Sequence, residues 1–360
     1  MEYTILVIME KHGKEPKIPM QTEKDRYAGV YEQIPTSHYL TGSRGGTYYT
    51  GDYKIGLNFY SLSHNLSSWL SNSTEGAPPL DTLKAIRLAK KAGFDSVDVT
   101  AYYIPGYHNT AMPAVPDETI FAYARSIKEL CAEIGIAVSG TGIKNDFADP
   151  SAERRKLDIQ RAKYWIDVAA AMGAPVIRLF TGEIPGDLLN STWEAIAQER
   201  IVPALRECAE YGALQGVKIG MQNHGDMAST ADQVVRILQW ADHPNIGVVN
   251  DTGCYKTFGD RTGIGYSWYD DIEAVLPYTI NFQVKKKPTA PDTDITVDLD
   301  ELFTRIRHSN YRGYIPLETL WTNQDADHPN TLPEPPFAQI REFLDQVRAA
   351  AERTKTRYAK

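Results

Sequence analysis

The chain has 360 residues, 42% of them hydrophobic and 23% charged, and a formal net charge of -8. That balance is ordinary for a globular protein, with length enough for one large α/β barrel or two modest domains. It argues against a nucleic-acid partner, because gripping phosphate takes a basic field and this surface repels it.

Residues 1–52 read as an arm, poor in periodic signals and broken by Gly42-Ser43-Arg44-Gly45-Gly46. Tyr27, Tyr31, Tyr39, Tyr48 and Tyr49 suit an interface in a homo-oligomer; a loosely packed extension or a start-site artefact accounts for the composition equally well. The apolar run 3–9 is too short to span a membrane and leads to no small-residue cleavage site, so no membrane association is expected. Cys131, Cys208 and Cys254 are widely spaced without a Cys-x-x-Cys pattern, which fits a reducing cytoplasm.

From residue 53 a unit recurs: an amphipathic helix, a glycine able to take a left-handed cap, then a short β-rich run. The glycines are Gly93, Gly135, Gly173, Gly216 and Gly313. Three further runs, 55–60, 246–251 and 278–285, share the strand composition without the glycine and bring the strand candidates to eight. Pro116-Asp117-Glu118 opens one helix, and the capping box Thr230 to Gln233 opens another over 234–240. Eight strands alternating with helices predict a single (β/α)8 TIM barrel over residues 53–360. The rival doubly wound sheet would carry a glycine-rich phosphate turn after its first strand, and Leu57-Asn58-Phe59-Tyr60 is no such turn. Two insertions, 102–115 and 288–297, follow strands and are expected over the barrel mouth.

The last inward residues of successive barrel strands converge on one small volume. For strands five to eight these are Gln222, Asp251, Gln283 and Glu318, separated by 29, 32 and 35 residues. Four oxygen donors of this kind suit a hard divalent ion such as Mg or Mn; hydrogen bonding to loops or to sugar hydroxyls is the alternative use. Period-two alternation puts Gln283 and Lys285 on one face and Phe282 and Val284 towards the helices. Aromatic residues near the predicted mouth, Tyr102, Tyr103, Tyr107, Tyr255, Trp268 and Trp321, offer flat faces to sugar C–H surfaces, although core or loop packing also explains them.

Together, Arg178 in Val176-Ile177-Arg178-Leu179-Phe180, Gln222-Asn223-His224, Asp251-Thr252-Gly253, Gln283-Val284-Lys285 and Leu317-Glu318-Thr319 resemble the xylose-isomerase-like barrel family of sugar-phosphate isomerases and epimerases. The resemblance runs from about residue 53 to the carboxyl terminus. It implies a Mn-like ion held by Glu, Asp, His and Glu of strands five to eight. It also implies proton exchange by the two glutamates on opposite faces of an enediolate. This chain keeps Asp251 and Glu318 but has Gln222 for the Glu, Gln283 for the His, and Cys254 where a second His often lies. Losing a charge and an imidazole lowers transition-metal affinity, so a weakly held, oxygen-preferring ion is expected.

An amide accepts no proton at neutral pH, so Glu318 remains as the base and needs a partner. Lys285 is one candidate, an ammonium able to stabilise an enolate. His224, able to shuttle a proton near neutrality, is a second, and Glu183 beyond strand four is a third. Arg178 either touches substrate or ties strand ends together, and Asn145, in the polar segment after strand three, belongs to a binding loop or a surface turn. The expected activity is isomerisation or epimerisation of a sugar. β-Elimination or hydration of a keto-sugar or glycoside is the alternative that needs no carboxylate at position 222. A carbohydrate-binding barrel without catalysis is the reading outside enzymology.

Overall fold

The computed structural model describes residues 48–63, 65–66, 80–187, 191–224, 227–255, 268–287, 296–319 and 336–357, all within the unit His38–Lys360. Most of the arm, most of the 288–297 insertion and Trp321 lie outside the described residues.

Eight parallel strands close into a barrel in chain order. They are β1 (Lys54–Asn58), β2 (Ser96–Asp98), β3 (Ala137–Gly142), β4 (Val176–Phe180), β5 (Lys218–Gln222), β6 (Ile246–Asp251), β7 (Thr279–Lys285) and β8 (Tyr314–Glu318). Leu57 of β1 lies opposite Leu317 of β8, so the sheet has no open edge. Each strand is followed by a helix: α1 (Thr82–Ala92), α2 (Asp117–Ile134), α3 (Ala152–Met172), α4 (Val202–Gln215), α5 (Ala231–Ala241), α6 (Trp268–Val275), α7 (Leu299–Arg307) and α8 (Phe337–Thr356). This is the predicted (β/α)8 barrel.

The local stops are mostly those the sequence announces. Gly93, Gly135, Gly173 and Gly216 close α1 to α4 with φ of 100°, 68°, 76° and 71°. Gly313 does not share that role, because α7 already ends at His308 in a right-handed conformation. After α5, which carries no glycine at its end, Asp242 takes the left-handed position at φ 40°; a short polar side chain tolerates it better than most. The Thr230/Gln233 capping box is formed, and its helix starts at Ala231, three residues before the expected 234. Pro116 precedes the first residue of α2 as predicted.

Alternation then sorts the side chains. Ile219 and Met221 of β5, Phe282 and Val284 of β7, and Ile315 and Leu317 of β8 form the fully buried layer between barrel and helices. Phe282 meets the Tyr311 ring edge-on at 4.8 Å on that outer side. Inside the barrel, Asn281 Nδ2 donates to Asp98 Oδ2 across from β7 to β2 at 3.1 Å. A Cβ at Gly140 would lie 2.6 Å from that same Asp98 oxygen, so the interior closes on its polar plug only because β3 is bare there. No described helix is long and apolar enough to cross a membrane.

The 102–115 insertion is packed down. Tyr102, Tyr103, Ile104 and Tyr107 are buried, and the Tyr107 hydroxyl accepts from the Lys144 amide at 2.8 Å. From α3, the fully buried Arg161 donates to the carbonyls of His108 at 2.6 Å and Ala111 at 3.2 Å, and pairs with Asp158 at 2.6 Å.

Candidate active site

Strand register assembles the cluster. Asp251 of β6 pairs with Gln283 of β7, and one pleat nearer the mouth Lys285 pairs with Glu318 of β8. Asn281, Gln283 and Lys285 share a face, and the Asn281 contact with Asp98 proves that face to be the inner one. The Lys285 ammonium therefore enters the barrel, 2.8 Å from Asp251 Oδ2, 3.4 Å from Glu318 Oε1 and 3.1 Å from Cys254 Sγ. Asp251, Lys285 and Glu318 are 0%, 3% and 2% exposed.

The loop after β6 is shaped around the lysine. Thr252 Oγ1 accepts from the Lys285 amide at 3.0 Å, and a Cβ at Gly253 would stand 2.4 Å from Lys285 Cδ. Asp251 is fixed at every point. Its backbone exchanges two hydrogen bonds with the Asn223 side chain, both 2.8 Å, while Oδ1 accepts from the Gly253 amide at 2.9 Å. Oδ2 accepts from Gln222 Nε2 at 2.6 Å as well as from Lys285. Turned the other way, the Gln222 amide would set its oxygen against Asp251 Oδ2, two acceptors in contact.

Two acceptors in this cluster are buried without a hydrogen-bond partner among the described residues, Glu318 Oε2 and Gln222 Oε1. Burial raises the Glu318 carboxyl from 4.5 to about 7, with the Asp251 charge adding to the rise and Lys285 opposing it. For Lys285, burial acts downward, but Asp251, Cys254 and Glu318 outweigh it and hold the ammonium charged, well above its ordinary value. The two directions agree physically: the ammonium sits closer to Asp251, and Glu318 receives too little of its field to offset its own desolvation.

The remaining predicted residues divide. Tyr102 lies in the wall, its hydroxyl 3.3 Å from Arg178 Nη2. Arg178 also donates to the Ile143 carbonyl and stacks on the Phe180 ring at 3.9 Å, so it ties β3 to β4. Asn145 spends both ends of its amide on the Phe180 backbone, at 2.8 and 2.9 Å, which makes it a strut. His224 is exposed at the rim with its ring 4.3 Å from that of Phe180, outside the buried cluster. Glu183 is also exposed and meets Lys144 at 3.5 Å. Trp268 is buried at the start of α6 and stacks on Tyr269 at 4.1 Å.

Tyr60 was not singled out by the sequence, yet its phenol is pushed up by burial and then by the Glu318 charge. It sits in the turn Phe59–Leu62 just beyond β1, edge-on to Tyr102 at 6.3 Å. Asp98 was missed as well; burial lifts its carboxyl to about 6 against the pull of Arg178 and Asn281.

The four strand-end positions do not fit a divalent ion. Among the described residues no three His, Cys, Asp or Glu side chains are grouped to hold one. Gln222 offers Asp251 its NH2, and the lysine already holds both carboxylates. A divalent ion about 4 Å from that ammonium would meet a repulsion of about 8 kcal/mol at an effective dielectric of about 20.

Comparison with known proteins agrees with this architecture. The sequence profile of the xylose isomerase-like TIM barrel family matches residues 86–352. The chain belongs to that family. Two curated relatives are named 3-dehydroshikimate dehydratase. The one from Pseudomonas putida is 26% identical over 130 residues, 36% of this chain and 19% of the relative. The one from Pseudomonas aeruginosa is 24% identical over 178 residues, 48% of this chain and 25% of the relative. The chain thus spans a quarter or less of the length of these relatives. A crystal structure of D-psicose 3-epimerase with D-tagatose, from Clostridium cellulolyticum H10, superposes with a TM-score of 0.62 at 17% identity, covering 83% of this chain and 99% of that one. At that identity the likeness carries the fold alone.

Proposed function

We propose that this member of the xylose isomerase-like family is an enzyme that enolises a small sugar or sugar-derived carbonyl compound, with Glu318 as the base. One observation carries the reading: Glu318 Oε2 is buried at the strand ends without a hydrogen-bond partner among the described residues, beside a fixed ammonium. Glu318 Oε2 takes the proton α to the carbonyl, and the electron pair moves onto the carbonyl oxygen. In isomerisation the proton returns to the neighbouring carbon as the hydroxyl proton crosses between the oxygens. The two orphan acceptors, Glu318 Oε2 and Gln222 Oε1, suit a substrate rich in hydroxyl donors.

β-Elimination is the second reading, favoured by the amide at Gln222. Epimerisation needs a group on each face of the enediolate, and the side chain on β5 is occupied as a donor to Asp251. Elimination needs only one: the proton gained by Glu318 passes to the departing β-hydroxyl, which leaves as water. The dehydratase names of the two curated relatives support this outcome.

Candidate aldoses, ketoses and hydroxy-keto acids incubated in deuterated water test the proposal. Deuterium is expected at the carbon α to the carbonyl, or an unsaturated product if elimination wins. Glu318→Gln is expected to slow either by about 10²- to 10⁴-fold, the usual contribution of a positioned base. Exchange at the wild-type rate in that variant would show the base to lie elsewhere.

A further inference from the structure

We infer that the Lys285 ammonium replaces the divalent cation in this chain, so that a side-chain charge stabilises the enolate oxygen and the site works without metal. The statement about the enolate rests on the enolising reading above; the statement about metal does not.

Position is the first argument. The resemblance assigns Asp251 and Glu318 to the ion, and Lys285 Nζ lies against those same two carboxylates, at 2.8 and 3.4 Å. Of the other two assigned positions, one differs from the family pattern in the direction a lysine requires and the other in a direction that weakens a transition ion. With a carboxylate at position 222 the cluster would hold three negative groups around one ammonium; as Gln222 it holds two, and the amide supplies a second donor to Asp251 Oδ2 at 2.6 Å. Gln283 removes the imidazole that would favour a transition ion over a hard cation.

Construction is the second argument. A lysine that merely strayed inward would not need a loop built for it. Here the stem runs over Gly253, where any Cβ would stand 2.4 Å from Cδ and 3.1 Å from Cβ of Lys285. Cβ is the root of the side chain and Cδ lies midway along it, so they yield less easily than its tip. Thr252 fixes the Lys285 backbone at 3.0 Å, and Cys254, where the family often has a second His, gives the ammonium a sulfur at 3.1 Å. Three consecutive residues after Asp251 thus serve the lysine.

Chemistry is the third. A divalent ion in an enolising site withdraws charge from the developing oxyanion, and a fixed, buried ammonium does the same as a hydrogen-bond donor. Its position between Asp251 and Glu318, against Glu318 Oε1, sets it beside the carboxylate that takes the proton, where the carbonyl of a bound substrate has to lie.

The test uses the full chain. Elemental analysis of the purified protein is expected to find no stoichiometric ion. Mn²⁺ or Mg²⁺ is expected to give no saturable binding by calorimetry and no rise in melting temperature, and chelation is expected to leave α-proton exchange unchanged. One equivalent of tightly held ion in the wild type, or exchange lost to a chelator and restored by an ion, would overturn the inference. Lys285→Met is expected to lose exchange by about 100-fold, in line with removal of a charge-stabilising donor; full exchange in that variant would overturn the role of the lysine. In the variant Gln222→Glu/Gln283→His/Lys285→Met, shown to fold by its melting curve, Mn²⁺ binding is expected to appear. A folded variant that binds none would overturn the placement of the cation at these positions. The wild-type titration decides whether or not the variant folds. Absence of α-proton exchange with every substrate would refute the enolising reading while leaving the metal titration to stand.

Discussion

Asp251 holds the Lys285 ammonium at 2.8 Å and leaves Glu318 at 3.4 Å, and that difference sets the chemistry. Burial drives the Glu318 carboxyl up to about 7, more than the lysine draws it down. A base poised there is half-ionised near neutrality, so kcat/KM for enolisation should rise about tenfold per pH unit below pH ~7 and level off above it. The stability consequence has the opposite sense. The folded value lies above the ordinary 4.5, so the fold binds the proton more tightly than the unfolded chain does. That stabilisation is complete below 4.5 and is lost as pH climbs through about 7. Denaturant titrations across that window should show the decline, and Glu318→Gln, permanently neutral, should flatten it. A rate independent of pH across the same window would argue against Glu318 as the base. Gln222, Asp251, Gln283 and Glu318 were legible from unit spacing, and Lys285 from alternation within β7. Tyr60 was not, since it lies past the strand in a 3-10 turn where period two no longer applies. The Asp98–Asn281 bond was hidden by a separation of 183 residues and by its depth below the strand ends.

At the scale of elements, the loop that walls the site depends on one helix side chain. Arg161 of α3 is fully buried and holds the 102–115 insertion by the His108 and Ala111 carbonyls, while its partner Asp158 accepts from the Asp146 amide at 2.7 Å. One ion pair therefore joins the loop after β2 to the loop after β3. Arg161→Ala leaves Asp158 buried and uncompensated, which should cost about 3 to 5 kcal/mol. It should also raise KM, because the insertion that carries Tyr102, whose hydroxyl meets Arg178, loses its support. Arg154, exposed on the same helix with a contact to Thr110 at 3.4 Å, is the control: Arg154→Ala should stay within about 0.5 kcal/mol. Chemical denaturation together with steady-state kinetics checks both, and equal losses in the two variants would refute the ranking. The helix itself was readable from its pattern and its stop at Gly173. That an interior arginine should reach across to an insertion 50 residues earlier was not, because side-chain reach leaves no periodic trace.

For the whole molecule the decisive contact is closure, and closure is supported from outside the sheet. β1 meets β8, and the chain leading into β1 is bound to the helices flanking β8 through Arg307. Its guanidinium donates to the carbonyls of Tyr49 at 2.6 Å, Gly51 at 3.0 Å and Ala351 at 2.5 Å, and to Thr354 Oγ1 at 3.0 Å. The Tyr49 amide returns a bond to the Arg307 carbonyl at 2.8 Å. Residues 48–52, counted with the arm on composition, are thereby fastened to the barrel. The eight-strand count and its order were legible because each unit repeats; this fastening was not, because its partners are separated by up to 258 residues. Arg307→Met keeps the apolar stem and removes every donor, taking that donor from the half-buried carbonyls of Tyr49 and Gly51, while the Ala351 carbonyl keeps the Thr354 hydroxyl. The expected loss is about 1 to 3 kcal/mol, since half-buried carbonyls that lose a donor cost less than fully buried ones. Because β1 and β8 share one ladder, the loss should not stay local. Amide exchange should quicken in both strands together, and also in α8, whereas the far pair β4 and β5 should change only through the global opening. Faster exchange confined to residues 48–52 would mean that Arg307 secures a tail and has no part in holding the barrel shut.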